Sequence, residues 1–291
     1  MQNKNVTYTI NGQTLHYKVE AEKIKFGNYE NIFLSDDNHI QDADWFAEGY
    51  KVDQFLDEVD YIKFETFIRD LFVSHLKTIT PVDLSDFTLD RYHTYVNDDT
   101  HRKFLTSVTA GSKARGGIPL ASLPFSYRKI DERVSEICKC SLSSKNLFTQ
   151  SFWLRVVRPG VEKDNNPPHK DGYLRRNRKM VNLYVGIAGS NEKSSLPFVP
   201  HSHLINEKYI ERTYGKALVN GVKFTNPAVT GLLNKSIEMF TPNPKKNEVL
   251  VFTPYMIHGG GRNLNVDVTR VSLEMRFKKA PFIGKLVGFY R

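Results

Sequence analysis

Phe152–Val157 (FWLRVV), Asn166–Gly172 (NPPHKDG) and Met180–Ile187 (MVNLYVGI) follow one another as strand, turn and strand, and their reading decides the fold. Both flanking runs are rich in β-branched and aromatic residues, which suit a pleated, half-buried surface. Working outward, Ala217–Phe224, Ser236–Phe240, Glu248–Phe252 and Thr269–Phe277 carry the same texture between Pro, Gly and Asn turns. One short helix, residues 205–214, is predicted to interrupt the series. Many strands with so few helices between them predict an antiparallel sandwich or jelly roll and not a doubly wound sheet.

Upstream, VTYTI and QTLHYKVE alternate apolar and polar residues around Asn11-Gly12, a pair suited to a two-residue hairpin turn. Val52, Phe55, Leu56, Val59, Ile62, Phe67, Leu71 and Phe72 recur mainly at three- and four-residue steps, which predicts a long amphipathic helix over 52–78, whole or broken. A second helix is predicted over 130–142, with Val134 and Ile137 inward. Residues 112–120 (SKARGGIPL) read as a loop, either a plain surface connection or an active-site lid. The expected organisation is one compact catalytic domain: residues 1–145 as a helix and hairpin buttress, residues 146–291 as the β core.

Composition narrows the class. With 40% hydrophobic and 25% charged residues, the 291-residue chain reads as an ordinary globular protein. The N-terminus has no apolar leader-like run and no segment is long enough to span a bilayer, so no membrane association is expected. Cys138 and Cys140 are two apart in a helical stretch and point to different faces, so they are expected to be free thiols in a reducing, cytoplasmic compartment. The net charge of +9 is largely dispersed as surface lysine; it suits an anionic small-molecule substrate, and nucleic-acid binding is not expected from it. Oligomeric state is not legible.

The chemistry sits in the turn. In extended chain, residues two apart share a side, so His169 and Asp171 can converge on one point. His258 ends the Val249–Phe252 strand and its extension, ahead of Gly259-Gly260-Gly261. Two imidazoles and a carboxylate on one face form the triad that leaves three adjacent positions open on Fe(II). Two of these suit a bidentate 2-oxo acid and the third O2. Arg270, twelve residues after His258 in the alternating strand TRVSLEMRF, could grip a distal carboxylate as a bidentate pair, with Ser272 on the same face adding a hydroxyl.

Taken in order, HKDG, SLPFVPHSH, NEVLVFTPYMIHGGGRN and RVSLEMRF resemble the phytanoyl-CoA dioxygenase-like branch of the Fe(II)/2-oxoglutarate-dependent oxygenases, over roughly residues 150–280. The resemblance implies a double-stranded β-helix (jelly-roll, cupin-like) core and the cosubstrates 2-oxoglutarate and O2. It implies His169, Asp171 and His258 as iron ligands, Arg270 as the 2-oxoglutarate arginine, and Asn263 at a position commonly Asn. Two departures stand out: His201 replaces the glycine of the usual Pro-Gly-Ser-His turn, and the first 145 residues carry no resemblance. Asp171 favours hydroxylation of an aliphatic carbon over halogenation, which needs that position vacant.

Other residues remain candidates for the site. Asn182 and Tyr184 share a strand face and could bond the cosubstrate; Arg155 shares a face with Trp153 on the strand entering the turn. Arg175 and Arg176 follow the turn, Arg262 lies four residues past His258, and Arg276 shares a face with Arg270; with Arg155 they are candidate substrate residues. A salt bridge from Arg276, perhaps with Glu274, is the structural alternative. His201 and His203 read as a helix cap more readily than as a second metal site. Two rival functions stay open: a zinc hydrolase or isomerase on the same triad, and a nucleic-acid demethylase of the same superfamily.

Overall fold

The computed structural model describes residues 1–28, 40–109, 117–144, 151–259 and 261–280. In chain order its strands and helices are β1 (Gln2–Ile10), β2 (Gln13–Phe26), β3 (Tyr50–Gln54), α1 (Glu58–Lys77), α2 (Asp98–Thr109), β4 (Gly117–Pro119), α3 (Arg128–Cys138), β5 (Leu142–Ser143) and β6 (Ser151–Val157), followed by β7 (Val181–Ala188), β8 (Ile210–Val219), β9 (Val222–Phe224), β10 (Val229–Leu232), β11 (Ile237–Met239), β12 (Glu248–Phe252) and β13 (Arg270–Lys279). They form two sheets. One runs β10-β8-β2-β1-β11 with β9 on β8; the other runs β3-β12-β7-β13-β6-β4 with β5 on β13. The architecture is mostly β, of the jelly-roll type, as the strand series predicts. Among the described pairs β1–β11 is parallel and the others antiparallel.

The first hairpin forms where Asn11-Gly12 places it, with φ of 49° and 81°. A two-residue turn with both φ positive matches the twist of its strands, and these residue types accept it cheaply. This hairpin is no separate layer: β2 pairs with β8, and β1 with β11, so the N-terminal half supplies strands to one sheet and, through β3 and β4, to the other.

Five predicted elements differ. Residues 50–54 are strand, and the helix starts only at Glu58. Val52 fits a helical period, but it pairs across from Leu250 of β12, while the Asp57 side chain accepts from the Asp60 N–H and caps the helix, a contact worth about 1 kcal/mol. The expected helix over 205–214 is a single turn, Glu207–Tyr209, followed by β8. Its apparent period is overridden by pairing with β2 and β10 on either side. The expected strand 217–224 is in fact a hairpin, because Asn220-Gly221 turns with φ of 47° and 78°. The helix expected over 130–142 ends at Cys138, where Lys139 takes φ 52°. Of the loop 112–120, residues 112–116 lie outside the described residues and Gly117–Pro119 form β4 on the edge of β6.

The seven-stranded sheet has two unlike faces. Phe152, Leu154, Leu183, Val185, Val251, Leu273 and Met275 point away from the site and pack against α1, α2 and α3. From α1 this core takes Tyr61, Phe64, Ile68, Phe72 and Leu76, spaced three and four apart and each no more than 2% exposed. Each such burial contributes about 1.5–3 kcal/mol before entropy is counted. The opposite face carries Trp153, Arg155, Asn182, Arg270, Ser272, Glu274 and Arg276, so alternation that buries the core on one side delivers polar groups to the other. Strand parity alone leaves open which face turns inward; the helices decide it.

A candidate metal centre and its pocket

His169 and His258 are brought together by their own backbones. Each donates its N–H to the other's carbonyl at 2.9 Å, as an isolated antiparallel bridge between segments far apart in sequence. His258 also pairs with Phe198, and His169 with Ala228, so both histidines are held from two sides. The potential ligand atoms of His169, Asp171 and His258 lie within 4.8 Å of one another, and all three residues are buried.

Local contacts orient them. The His169 Nδ1–H donates to Pro167 O at 2.8 Å, and the His258 Nδ1–H donates to Met256 O at 3.0 Å. Both tautomers are thereby fixed with the Nε2 lone pair free, which is the arrangement a metal-binding imidazole needs. Burial pushes the His258 imidazole down to about 4, helped by His169 and partly offset by Asp171, so it stays neutral and able to donate its lone pair. Burial would raise the Asp171 carboxyl, but the Arg276 guanidinium and the neighbouring His169 and His258 together outweigh it and hold the group well below the usual carboxylate range. Asp171 Oδ2 accepts from Arg276 Nη2 at 2.6 Å, from Arg276 Nε at 3.1 Å and from Asn182 Nδ2 at 3.0 Å. Its Oδ1 takes only the weaker Asn226 Nδ2 contact at 3.2 Å and lies 3.7 Å from His169 Nε2. One carboxylate oxygen is saturated with donors and the other faces the histidines, a geometry suited to a monodentate ligand. Three neutral or anionic donors, buried and convergent, fit Fe(II).

The triad opens into a cavity of about 470 Å³ lined by, among others, Trp153, Arg155, Asn165, Asn177, Lys223, Asn226, Arg270, Glu274 and Arg276. Arg270 is 7% exposed. It donates through Nη1 to the Ser194 carbonyl, while its Nε and the Ser272 hydroxyl are buried without a hydrogen-bond partner among the described residues. Orphaned buried donors of this kind cost free energy unless a ligand meets them; Arg270 lines the cavity and suits a carboxylate, while Ser272 lies behind the lining. The pocket therefore fits 2-oxoglutarate as well as iron.

Not every candidate from the sequence arrives. Tyr184 bonds Ser190 within a cluster formed by Leu196, Phe198 and Phe252, and does not line the cavity. Arg262 donates to the His16 carbonyl and pairs with Glu162, away from the site. Arg175 is exposed and off the lining, whereas Arg176 is on it. Arg155 and Arg276 do line the cavity, but each is ion-paired there, Arg155 with Glu274 and Arg276 with Asp171, so the salt bridge offered as the structural alternative for Arg276 forms with a different acid. Asn263 bonds the carbonyls of Val157 and Val268 and so braces the loop after His258. His201 Nδ1 contacts Ala47 O, and His203 Nε2 contacts Phe46 O. Asn226 and Lys223 were not legible as site residues; they lie in the β9–β10 region that the sequence presented as one strand end, with no motif to mark them.

Over residues 46–271 the sequence matches a family of non-haem iron dioxygenases that use Fe(II), 2-oxoglutarate and O2. The family is that of phytanoyl-CoA dioxygenase (PhyH), and the chain belongs to it. The match extends well upstream of the residues that carry the resemblance in sequence. Similar solved structures include EctD from S. alaskensis with 2-oxoglutarate and 5-hydroxyectoine, at 12% identity, covering 89% of this chain and 84% of that one, TM-score 0.46. The epimerase SnoN in complex with Fe3+, alpha ketoglutarate and nogalamycin RO shares 16% identity over 81% of each chain, TM-score 0.43. AviO1 from Streptomyces viridochromogenes Tue57 shares 13% identity, over 81% of this chain and 93% of that one, TM-score 0.45. No curated protein matches the chain. Among the described residues no helix is long and apolar enough to cross a membrane.

Proposed function

We propose that this dioxygenase hydroxylates an aliphatic carbon of a small polar or anionic metabolite such as a sugar or amino acid derivative, while 2-oxoglutarate is decarboxylated to succinate and CO2. In this reading His169, Asp171 and His258 hold Fe(II), and Arg270 with Ser272 receives the distal carboxylate of 2-oxoglutarate. When bound, the iron supplies the activation of O2. The chain's own residues orient the reactants and exclude water: Asn182 and Arg276 keep Asp171 ionised and aimed, and Arg270 sets the depth of the cosubstrate.

The observation that carries the reading is the pairing of a convergent, tautomer-fixed triad with a buried arginine whose Nε lacks a partner in the same cavity. A zinc hydrolase would leave Arg270 and Ser272 without a task.

The substrate class follows from which cations are already committed. Arg276 belongs to Asp171 and Arg155 to Glu274; Arg270 is assigned to the cosubstrate. Arg176 and Lys223, both exposed, stand at the rim of the cavity with no ion pair to a described residue. They are the groups open to a carboxylate or phosphate on the substrate. Both cysteines are free thiols, which supports a cytoplasmic setting.

Anaerobic addition of Fe(II) and 2-oxoglutarate to the apoprotein tests the core of the reading: a metal-to-ligand charge-transfer band is expected, and none is expected in His258→Ala or Asp171→Ala. Wild-type absorbance in His258→Ala would refute the ligand assignment. A library of small acids screened by succinate release then tests the substrate class. Arg176→Glu and Lys223→Glu are expected to raise the substrate KM while leaving uncoupled 2-oxoglutarate turnover unchanged.

A further inference from the structure

Between the two candidate ligands of the turn sits a lysine that never reaches solvent. Lys170 is 2% exposed and its ammonium donates to Glu207 Oε1 at 2.9 Å; Glu207 is 3% exposed. In extended chain its side chain leaves on the side opposite His169 and Asp171, so it takes no part in the cavity and is absent from its lining.

Glu207 is itself anchored. Its carbonyl accepts the Gly27 N–H at 3.1 Å at the end of β2, an approach so close that a Cβ on residue 27 would fall 2.6 Å from that oxygen. The second carboxylate oxygen lies 3.6 Å from Arg212 Nε. The Arg212 guanidinium in turn packs over the rings of Tyr173, at 4.2 Å, and Tyr214, at 4.3 Å. Tyr173 belongs to the same turn as Asp171. Glu207, in the turn just ahead of β8, and Arg212 on β8 thus hold the turn at Lys170 and at Tyr173, while the seven-stranded sheet holds it through Asp171.

A fully buried ion pair seldom adds net stability, because desolvating two charges offsets their attraction. An apolar pair of similar volume would serve the fold as well. What the ion pair adds is a fixed direction and length. We propose that Lys170 and Glu207 are positioning residues for the metal centre, a buried strut that sets the depth and angle at which His169 and Asp171 present their ligand atoms. The proposal rests on the iron site read above.

Its test separates position from stability. Lys170→Met and Glu207→Leu each strand a buried charge, and both are expected to lower the Tm of the apoprotein and weaken Co(II) binding, read from the cobalt d–d absorption. The double variant removes both charges; its Tm is expected to return to within a few degrees of wild type while its Co(II) affinity stays about 10–100-fold lower, the scale of outer-sphere changes at metal sites. Wild-type cobalt affinity in the double variant would overturn the strut while leaving the metal site standing. Absence of cobalt binding in the wild-type protein would overturn the metal site and the strut with it. Glu207→Asp keeps the charge and shortens its reach by one methylene, so it covers the case of a double variant that does not fold: weakened cobalt binding at near-normal Tm is expected, and undiminished affinity overturns the proposal.

Discussion

Asn182 on β7 and Arg276 on β13 stand opposite each other in register and donate to the same oxygen, Asp171 Oδ2. Their convergence leaves Oδ1, held only by the weaker Asn226 contact among the described residues, turned towards the histidines. Which carboxylate oxygen Asp171 presents to the two histidines is therefore set by two strands of the seven-stranded sheet.

Replacing Arg276 by Met removes the guanidinium that keeps Asp171 ionised and leaves two amides to hold it. We expect metal affinity to fall about 10–100-fold, measured by Fe(II) or Co(II) titration of the apoprotein. Unchanged affinity would show that Asn182 and Asn226 hold the carboxylate unaided.

Arg270→Met is expected to spare metal binding and strike the cosubstrate. A charge-assisted hydrogen bond is worth about 1.5–3 kcal/mol, so the KM for 2-oxoglutarate should rise roughly 10–100-fold. Arg270→Lys should recover only part of this, since an ammonium cannot reproduce a two-point grip. Equal KM values in the wild type and Arg270→Met would remove Arg270 from the cosubstrate site.

Gly259 follows His258 with φ +93°, and a Cβ there would lie 2.8 Å from Pro167 O and 3.0 Å from His169 Nδ1. Those two atoms are the hydrogen-bonded pair that fixes the His169 tautomer. Gly259→Ala should cost about 1–2 kcal/mol for the left-handed backbone alone, and should also weaken metal binding by tilting the imidazole. A fall in Tm with wild-type metal affinity would refute the second half of this expectation.

His101 and His203, both buried, are held down to about 4, His101 by burial against a partial lift from Asp164 and His203 by burial against its bond to Phe46 O. Their folded values lie below the unfolded value of about 6.5. Stability is therefore fully present above pH 6.5 and is lost as pH falls towards 4, because the unfolded chain takes up protons that the folded one refuses. The Tm of the apoprotein should drop between pH 7 and pH 5, and His101→Gln or His203→Gln should flatten that drop. An equally steep profile in both variants would assign the acid sensitivity elsewhere.

Much of this protein was legible because the relevant information is local. Alternation over 152–157, 181–188 and 270–279 is a property of neighbouring residues, and so are Asn11-Gly12 and the HxD spacing. Reading failed where local and long-range preferences disagree. Val52 and residues 210–214 fit a helical period yet became strands, since neighbouring strands offered their backbones partners. Asn220-Gly221 is the same turn signal as Asn11-Gly12 and escaped notice only because apolar residues flank it on both sides.

By itself the sequence determined which residues share a face, that His169 and Asp171 can point the same way, and that the second half of the chain would form sheets. Only the tertiary structure decided which face turned inward and which acid each arginine would meet: Arg276 with Asp171, Arg155 with Glu274, Arg262 with Glu162 outside the site. It alone joined His258 to His169 backbone to backbone and slid Glu207 beneath Lys170. The physical reason is one of range. Side-chain periodicity is fixed by the geometry of a single strand, whereas pairing between distant segments is settled by closing the whole chain around one core.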